Sequence, residues 1–458
     1  MNSIFITAGT APANPIWFVT TANYPELRER LDADACGFAD AVGFEPKAGR
    51  HLLLPGKNGL AGVLFGLEAA GEARDLFLPG RLPQQLPDGI YRFANQPHDE
   101  RLAALAFALG AYSFTRYRKS EAREVKLDLP QSIDRADLWR AVEAVTLARD
   151  LINTPANDMG PADLEEATRA LAARHGADVR SLVGEELLAE NFPLIHAVGR
   201  ASDAAPRLIE LNWGEASHPR ISIVGKGVCF DSGGLDIKPE NAMLLMKKDM
   251  GGAASALALA HMIMDGGLKV RLQVLIPAVE NVISGAAFRP RDVYRSRKGL
   301  TVEVGNTDAE GRLILADALA FADESAPDLL IDLGTLTGAA RVALGPDVPA
   351  FYTDDDALAA AVARHAAAEN DPLWRLPLWQ PYAGMLDSKV ADVNNVASGS
   401  LAGSILCALF LQRFVAAAKA WMHFDIYAWT PTAKPGRPEG GECQAARALY
   451  ALIVERCG

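Results

Sequence analysis

Apolar runs of strand length alternate with longer segments of helical periodicity from about residue 205 onward. The strand-like runs lie at Arg207–Leu211, Ile221–Val224, Val270–Ile276, Leu300–Val304 and Leu329–Leu333. The helical segments lie at Ala253–Met264, Leu313–Ala322 and Ala357–Ala368. This alternation predicts an α/β fold with a mainly parallel central sheet flanked by helices. Ligands bind such sheets outside the carboxyl ends of the strands, so residues directly after strands are the first candidates for chemistry.

The earlier part of the chain has a different pattern. Residues 1–115 mix short apolar runs with turn signals such as Pro55-Gly56, which indicates a small α/β domain without a chemical motif. Apolar residues at helical spacing from Leu138 to Ile152, stopped by Pro155, predict a helix. We therefore expect an N-terminal domain at residues 1–130, a linker helix at 131–155 and a catalytic domain at 156–458.

Composition and charge limit the classes of partner that we expect for this protein. The 458 residues carry 45 Lys and Arg against 57 Asp and Glu, a formal net charge of −12. Because nucleic-acid affinity comes mostly from phosphate neutralisation, this balance argues against nucleic acid as the main partner. No basic residue precedes Arg28, and no stretch reaches the length of a membrane span, so we expect neither a secretory signal nor a membrane partner. The five cysteines form no C-x-x-C pair, which favours a soluble cytoplasmic protein.

Two segments after predicted strands carry unusual residues. In the second of them, which runs from Gly305 to Leu313, Asp308, Glu310 and Arg312 alternate with the small residues Ala309 and Gly311. On extended backbone, residues two apart share a side, so the three charged groups are predicted to point together. The simpler alternative is a charged turn that caps the helix beginning at Leu313.

The first segment is a glycine-rich platform that presents Lys226, Asp231, Lys238 and Asp249. Glycines allow close approach of the backbone to another group. The segment lacks the spacing of a P-loop, and no G-x-G-x-x-G opens a helix. If both segments meet at neighbouring strand ends, four carboxylates and three cationic side chains converge.

Four clustered carboxylates would raise one another's pKa values unless cations neutralise them. Two divalent ions provide that charge, and oxygen-rich sites suit Mg, Mn or Zn. No histidine lies in either segment, and Lys226 could ligate only as the neutral amine. Lys238 and Arg312 would then be electrophilic partners. The residues indicate a two-metal hydrolase and leave open whether it cleaves peptides or phosphoesters.

The chain resembles the leucyl (cytosol) aminopeptidase family in several long motifs. The most specific is the octapeptide Asn306–Leu313, and the resemblance covers residues of about 145 to 430. Further matching stretches are Asn153–Asn157, Val224–Gly227, Phe230–Gly234, Met246–Ala254, Thr335–Ala339, Ala402–Ser404 and Phe410–Phe414. Residues 1–130 show no family motif.

The resemblance implies a dinuclear-metal exopeptidase that removes N-terminal residues. By motif match, Asp231 and Glu310 would bridge the ions, Lys226 and Asp249 would complete the shell of one, and Asp308 that of the other. The ions would be Mn or Zn, while Mg or Co also suit these ligands. The family's usual assembly is a homo-hexamer.

Catalytic and substrate roles are implied in the same way. Lys238 would polarise the scissile carbonyl, and Arg312 would hold a bicarbonate that acts as the general base. The free amine of the peptide would lie near Asp249. Residues implied in substrate binding are Met246, Asn306, Ala309, Thr335, Leu336 and Gly338.

One region departs from the family pattern. The run Trp421–Ile426 usually continues with Ala-Gly, whereas here it continues with Tyr427-Ala428-Trp429. The tail Pro435–Glu442 is also atypical. Since this region borders the substrate pocket in relatives, a preference for leucine does not follow from the resemblance.

Two other functions compete with a broad metallo-aminopeptidase. Nucleic-acid-binding regulation would need a basic N-terminal surface, but residues 1–100 carry few Lys and Arg. A two-metal phosphoesterase satisfies the charge argument but not the octapeptide match.

Several residues near these motifs are expected to be structural. His423 and Asp425 lie at strand spacing in an apolar run, and Asp332 is expected to be a hydrogen-bonded polar group in a strand. Cys229 is expected to be a small buried residue. The pair Lys247-Lys248 is expected to be solvated.

Overall fold

The computed structural model describes residues 4–6, 9, 11–57, 59–118 and 123–458. Contacts divide the chain into two units. The first unit contains Met1–Glu143 and Thr432–Glu439, and the second contains Ala144–Pro431 and Gly440–Gly458. The division falls within the helix predicted around Leu138–Ile152, and the sequence did not indicate the return of the late segment to the first unit.

The first unit contains a six-stranded sheet among its described residues. Its strands are β1 (Phe5–Ile6), β2 (Asn14–Val19), β3 (His51–Gly56), β4 (Gly59–Gly66), β5 (Gly89–Phe93) and β6 (Val125–Asp128). Its helices are α1 (Tyr24–Arg28), α2 (Ala33–Ala41), α3 (Leu82–Gln85), α4 (Glu100–Gly110) and α5 (Arg135–Asn153), which continues into the second unit. The strand order is β1-β6-β5-β2-β4-β3, and β3 pairs antiparallel while the others pair parallel.

The second unit carries the larger sheet. Its strands are β7 (Asp178–Val183), β8 (Arg207–Trp213), β9 (Arg220–Gly225), β10 (Gly227–Asp231), β11 (Arg271–Asn281), β12 (Val293–Arg295), β13 (Thr301–Glu303), β14 (Leu329–Gly334), β15 (Ala350–Tyr352), β16 (Trp374–Arg375), β17 (Val393–Asn394), β18 (Trp421–Asp425), β19 (Trp429–Thr430) and β20 (Gly440–Gly441). The order in the main sheet is β16-β15-β18-β14-β9-β11-β8-β7, and β10 also pairs with β11. Parallel pairing joins β18, β14, β9 and β11 at its centre.

Helices cover this central sheet. They are α6 (Pro161–His175), α7 (Glu186–Ala189), α8 (Pro193–Gly199), α9 (Glu240–Met243), α10 (Gly251–Asp265), α11 (Glu310–Asp323), α12 (Gly338–Leu344), α13 (Asp356–Ala368), α14 (Gly403–Gln412) and α15 (Ala446–Cys457). Helix α10 packs with α6 and α15, whereas α11 packs with α8 and α14, and both helices contact β9 and β14. Strand β14 is buried along its whole length, as expected for a parallel strand between helical layers.

The α/β fold class is confirmed, and most predicted elements are present. The runs around residues 207, 221, 270 and 329 form β8, β9, β11 and β14. The run Leu300–Val304 forms β13, but this strand lies in a separate small sheet of order β12-β13-β17. The expectation that the second segment follows a strand of the main sheet is therefore wrong. Within the described residues, no helix is long and apolar enough to cross a membrane.

Candidate metal centre

Lys226 lies at the junction between β9 and β10. Its backbone N–H donates to Leu333 O at 2.9 Å, and its carbonyl accepts from Ala253 N at 2.9 Å. A Cβ on Gly311 would lie 2.6 Å from Lys226 Nζ, so any larger residue there would displace the lysine side chain from its present position. These contacts fix a lysine that is 2% exposed at the end of a central strand.

The segment that carries Asp308 and Glu310 is helical rather than extended. Thr307–Ala309 forms a 3₁₀ turn, and Glu310 is the first residue of α11. Asn306 begins the turn, because its side-chain oxygen accepts from Asp308 N at 2.7 Å. The prediction of extended backbone is wrong, since this capping outweighs the low helix propensity of Gly311. The turn, not alternation, brings the two carboxylates together.

Carboxylates from both segments meet in space. One oxygen from each of Asp231, Asp308 and Glu310 lies within 4.8 Å of the others. Lys226 Nζ lies 2.7 Å from Asp249 Oδ2 and 2.9 Å from Glu310 Oε1. The expected convergence is therefore present, although the two segments come from different sheets.

Lys238 lies on the more open side of the cluster. Its Nζ is 2.9 Å from Asp231 Oδ2 and also contacts Asp308 Oδ1. Its side chain is 13% exposed, against 3% for Lys226. Lys238 is thus the cation of the pair that a substrate could reach.

The charges of the cluster shift one another's pKa values. Burial, together with the charge of Asp231, raises the pKa of Glu310, and burial with the charge of Asp249 raises that of Asp231. Burial opposes the ammonium form of Lys226, but attraction to Asp249, Glu310 and Asp231 outweighs it and raises its pKa. The protein by itself therefore favours charged Lys226, and a nearby metal ion would have to reverse this shift before Lys226 could ligate as an amine.

The donor atoms fit divalent cations. Among the described residues, the buried Glu310 Oε2 has no hydrogen-bond partner. Asp249 Oδ2 and Asp308 Oδ1 are ion-paired with Lys226 and Lys238, and their remaining lone pairs are available to a cation. Buried carboxylate oxygens nearly always accept hydrogen bonds, bind cations or both. An all-oxygen set with one amine suits Mg, Mn or Zn and does not discriminate among them.

Residues that sequence reasoning missed orient the carboxylates. Asn281 Nδ2 donates to Asp231 Oδ1 and to Thr307 O at 2.9 and 3.0 Å, so it joins the two segments. Thr307 Oγ1 donates to Gly233 O at 2.6 Å and reinforces the same junction. The position of Asn281 at the end of β11 was the available signal, since ligands gather at such ends.

Arg312 is held beside this junction. Its Nη1 donates to Asn395 O at 2.7 Å, and Asn395 Oδ1 accepts from Gly305 N at 2.7 Å. Within the described part of the chain, the guanidinium forms no other hydrogen bond, so its remaining N–H groups can bind an anion.

The loop Thr335–Gly338 lies against the cluster. Thr335 O accepts from Lys226 Nζ and its hydroxyl donates to Asp249 Oδ1, both at 2.7 Å. Leu336 N donates to Asp425 Oδ1 at 3.2 Å. Of the other residues implied in substrate binding, Met246 begins the 3₁₀ turn that carries Asp249, Asn306 and Ala309 flank Asp308, and Gly338 begins α12.

The residues expected to be structural behave as expected, with one exception. His423 Nδ1 lies 2.5 Å from Asp332 Oδ1 rather than on Asp425, and Cys229 is buried. The expectation that Lys248 is solvated is wrong, because it is 2% exposed. Burial lowers the pKa of Lys248 to about 7.

Comparison with known proteins identifies the family. The catalytic domain of the cytosol aminopeptidase family matches residues 146–450, and the N-terminal domain of the M17 aminopeptidases matches residues 14–130, where the sequence had shown no motif. The chain is 42% identical over 363 residues to a probable cytosol aminopeptidase of Roseiflexus castenholzii, covering 75% of this chain and 74% of that protein. It is 43% identical over 306 residues to Peptidase B of Pectobacterium carotovorum, covering 64% and 70%.

Solved structures agree over nearly the whole chain. The cytosol aminopeptidase of Coxiella burnetii superposes with a TM-score of 0.95 at 45% identity, covering 99% of this chain and 100% of that one. The bottromycin maturation enzyme BotP in complex with Mn gives 0.87 at 33% identity, covering 97% and 100%. The chain therefore belongs to the cytosol aminopeptidase family of metal-dependent hydrolases.

Proposed function

We propose that this enzyme removes the N-terminal residue from short peptides with two divalent metal ions. The observation that carries the proposal is the convergence of Asp231, Asp308 and Glu310 beside Asp249 and two lysines. Asp231 and Glu310 would hold both ions, Lys226 and Asp249 would complete the ligand set of one, and Asp308 would complete that of the other. The unpaired Oε2 of Glu310 and the convergence of carboxylate oxygens within 4.8 Å support these assignments.

Lys238 and Arg312 carry the two remaining catalytic roles. The ions, when bound, polarise the scissile carbonyl and lower the pKa of a water molecule. Lys238 donates a hydrogen bond to the carbonyl oxygen as negative charge develops there, which its partial exposure supports. Arg312 binds bicarbonate through its open N–H groups, and bicarbonate supplies general-base chemistry.

Substrate enters this site amine first. The N-terminal amine lies near Asp249, which restricts cleavage to the chain end. The first side chain lies among residues of the Thr335–Gly338 loop, the Met246 turn and the Asn306 turn. Residues that contact substrate in this proposal are Met246, Asn306, Ala309, Thr335, Leu336 and Gly338.

We further propose Mn or Zn as the bound ions, a homo-hexameric assembly and a cytoplasmic location. The Mn complex of BotP and the names of the cytosol aminopeptidase relatives support the first and last of these. Light scattering of the purified protein tests the assembly, and metal analysis after purification without added metal tests the ions.

Release of p-nitroaniline from leucine p-nitroanilide tests the function. Protein stripped of metal by a chelator should be inactive, and Mn added in bicarbonate buffer should restore turnover. Asp308→Ala should remain inactive with Mn, whereas Asp354→Ala, at an exposed aspartate, should match the unaltered enzyme.

Two results would contradict the proposal. One is normal turnover by Asp308→Ala, which would refute the assigned site. The other is metal-dependent hydrolysis of p-nitrophenyl phosphate without release of p-nitroaniline, which would favour the phosphoesterase.

A further inference from the structure

Two cationic side chains flank one aromatic ring next to the metal centre. Lys248 Nζ lies 4.6 Å from the centroid of the Tyr427 ring, and Arg341 Cζ lies 5.1 Å from the same centroid. Tyr427 is the first residue at which the chain leaves the family pattern after Trp421–Ile426. The three side chains come from three elements that surround the Thr335–Gly338 loop.

Their position places them where the first side chain of a substrate would lie. Lys248 precedes Asp249, the residue beside which we place the N-terminal amine. Gly338 and Arg341 lie three residues apart on α12 and so share one face of that helix. No atom of the described residues lies within 4 Å of a Cβ built on Gly338, so there is open space beside the arginine.

Neither cationic side chain has a hydrogen-bond acceptor among the residues that the structure describes. Within the described part of the chain, Lys248 Nζ forms neither a hydrogen bond nor an ion pair. Arg341 Nη1 is buried without a hydrogen bond, and it lies 3.9 Å from Asp425 Oδ1. That oxygen already accepts from Leu336 N and Thr337 N. Lys248 is buried, whereas the Arg341 side chain is 26% exposed and Asp425 is its distant partner. Because burying an ammonium group without an acceptor is costly, an acceptor supplied by the substrate would complete the arrangement at Lys248 and bind Arg341 as well.

We propose that this pocket selects peptides whose first residue carries an acidic side chain. The carboxylate accepts hydrogen bonds from Lys248 Nζ and the Arg341 guanidinium, while the aromatic ring of Tyr427 packs against the side-chain methylenes. The inference rests on the proposed aminopeptidase activity and adds its substrate class.

The alternative is that the two cations only stack on Tyr427 and stiffen the loop. Stacking predicts no dependence of the rate on substrate charge. Glutamate and glutamine have nearly the same shape and differ in charge, so comparing them as first residues separates the two explanations.

The experiment measures kcat/KM of the Mn-loaded enzyme for the p-nitroanilides of glutamate, glutamine and leucine. Because a charge-assisted hydrogen bond is about twice as strong as a neutral one, glutamate should exceed glutamine by about tenfold or more. Lys248→Met and Arg341→Gln should each lower this ratio several-fold. Lys269→Met and Val342→Ala, at exposed positions, should leave the ratio unchanged.

The outcomes are distinguishable. Turnover of the leucine substrate without preference for glutamate over glutamine would overturn the acidic pocket and leave the aminopeptidase intact. A glutamate preference that survives in both variants would also overturn it. No metal-dependent turnover of any substrate would overturn both proposals. The glutamate and glutamine comparison in the unaltered enzyme needs no variant, so misfolding of a variant does not obscure the result.

Discussion

The sheet of the first unit and the main sheet of the second unit differ in the polar residues that come after their parallel strands. After β5 comes Asn95, whose side chain accepts from Phe18 N at 2.7 Å and donates to Phe18 O at 2.8 Å. After β4 comes Glu68, which accepts from Asp75 N and lies 3.1 Å from His98 Nε2. These polar groups have partners within the unit.

The second unit collects several carboxylates at the corresponding place. Beyond β10 and β9, Asp249 Oδ2 and Asp308 Oδ1 are ion-paired with Lys226 and Lys238, and Glu310 Oε2 has no hydrogen-bond partner among the described residues. Natural proteins pair nearly all buried polar groups, so this unpaired oxygen in a carboxylate cluster marks a ligand site. The two sheets thus differ in whether the polar side chains that follow their strands all have partners within the protein.

The largest effect is expected from a substitution in the carboxylate cluster of the second unit. Glu310→Gln keeps the shape but removes a negative charge from the cluster, so turnover of leucine p-nitroanilide should fall by about a thousandfold or more, roughly 4 kcal/mol in activation free energy. The change is measured as kcat at saturating Mn. Circular dichroism should show an unaltered fold, and activity within tenfold of normal would refute the bridging role.

A change in the first unit should instead affect stability. Phe65 is fully buried in β4, and its ring centroid lies 6.1 Å from that of Phe18. Phe65→Ala should lower the free energy of unfolding of this unit by about 3–5 kcal/mol, measured by urea denaturation, with kcat per folded molecule unchanged. Phe38→Ala, at a residue 37% exposed, serves as the control and should cost far less. An equal loss in both variants would contradict the assignment of Phe65 to the core.

Arg312→Ala should separate catalysis from metal binding in the second unit. Loss of the bicarbonate site should lower kcat about a hundredfold, because a positioned general base contributes at least that much. Metal content should stay normal, and added bicarbonate should no longer raise the rate. Release of metal from the variant would show that Arg312 holds the site together instead.

The smallest effect is expected at the thiols. Burial raises the pKa of Cys229 in the second unit well above its usual value and that of Cys407 to about 12. Since the thiolate forms only as the pH approaches the pKa, neither residue should react with iodoacetamide at pH 8 in the folded protein. Partly exposed Cys36 in the first unit should react first, with activity retained. Mass spectrometry of labelled peptides checks the order, and rapid labelling of Cys229 would contradict its burial.

Much of the fold and the composition of the site were predictable from local pattern. Hydrophobic runs of the right length predicted β8, β9, β11 and β14, because burial between helices needs continuous apolar residues. The glycine-rich segment and the octapeptide predicted which carboxylates and lysines converge in the cluster. These features depend on neighbours in sequence, so the sequence alone determined them.

The tertiary structure decided which groups meet and which are buried. It placed β13 in a separate sheet, built the turn at Asn306 and joined both segments through Asn281, which is 50 residues from Asp231. It also buried Lys248, although its charged run is typical of a solvated segment. Burial and pairing between distant residues depend on how whole elements pack, and local periodicity carries no information about that packing.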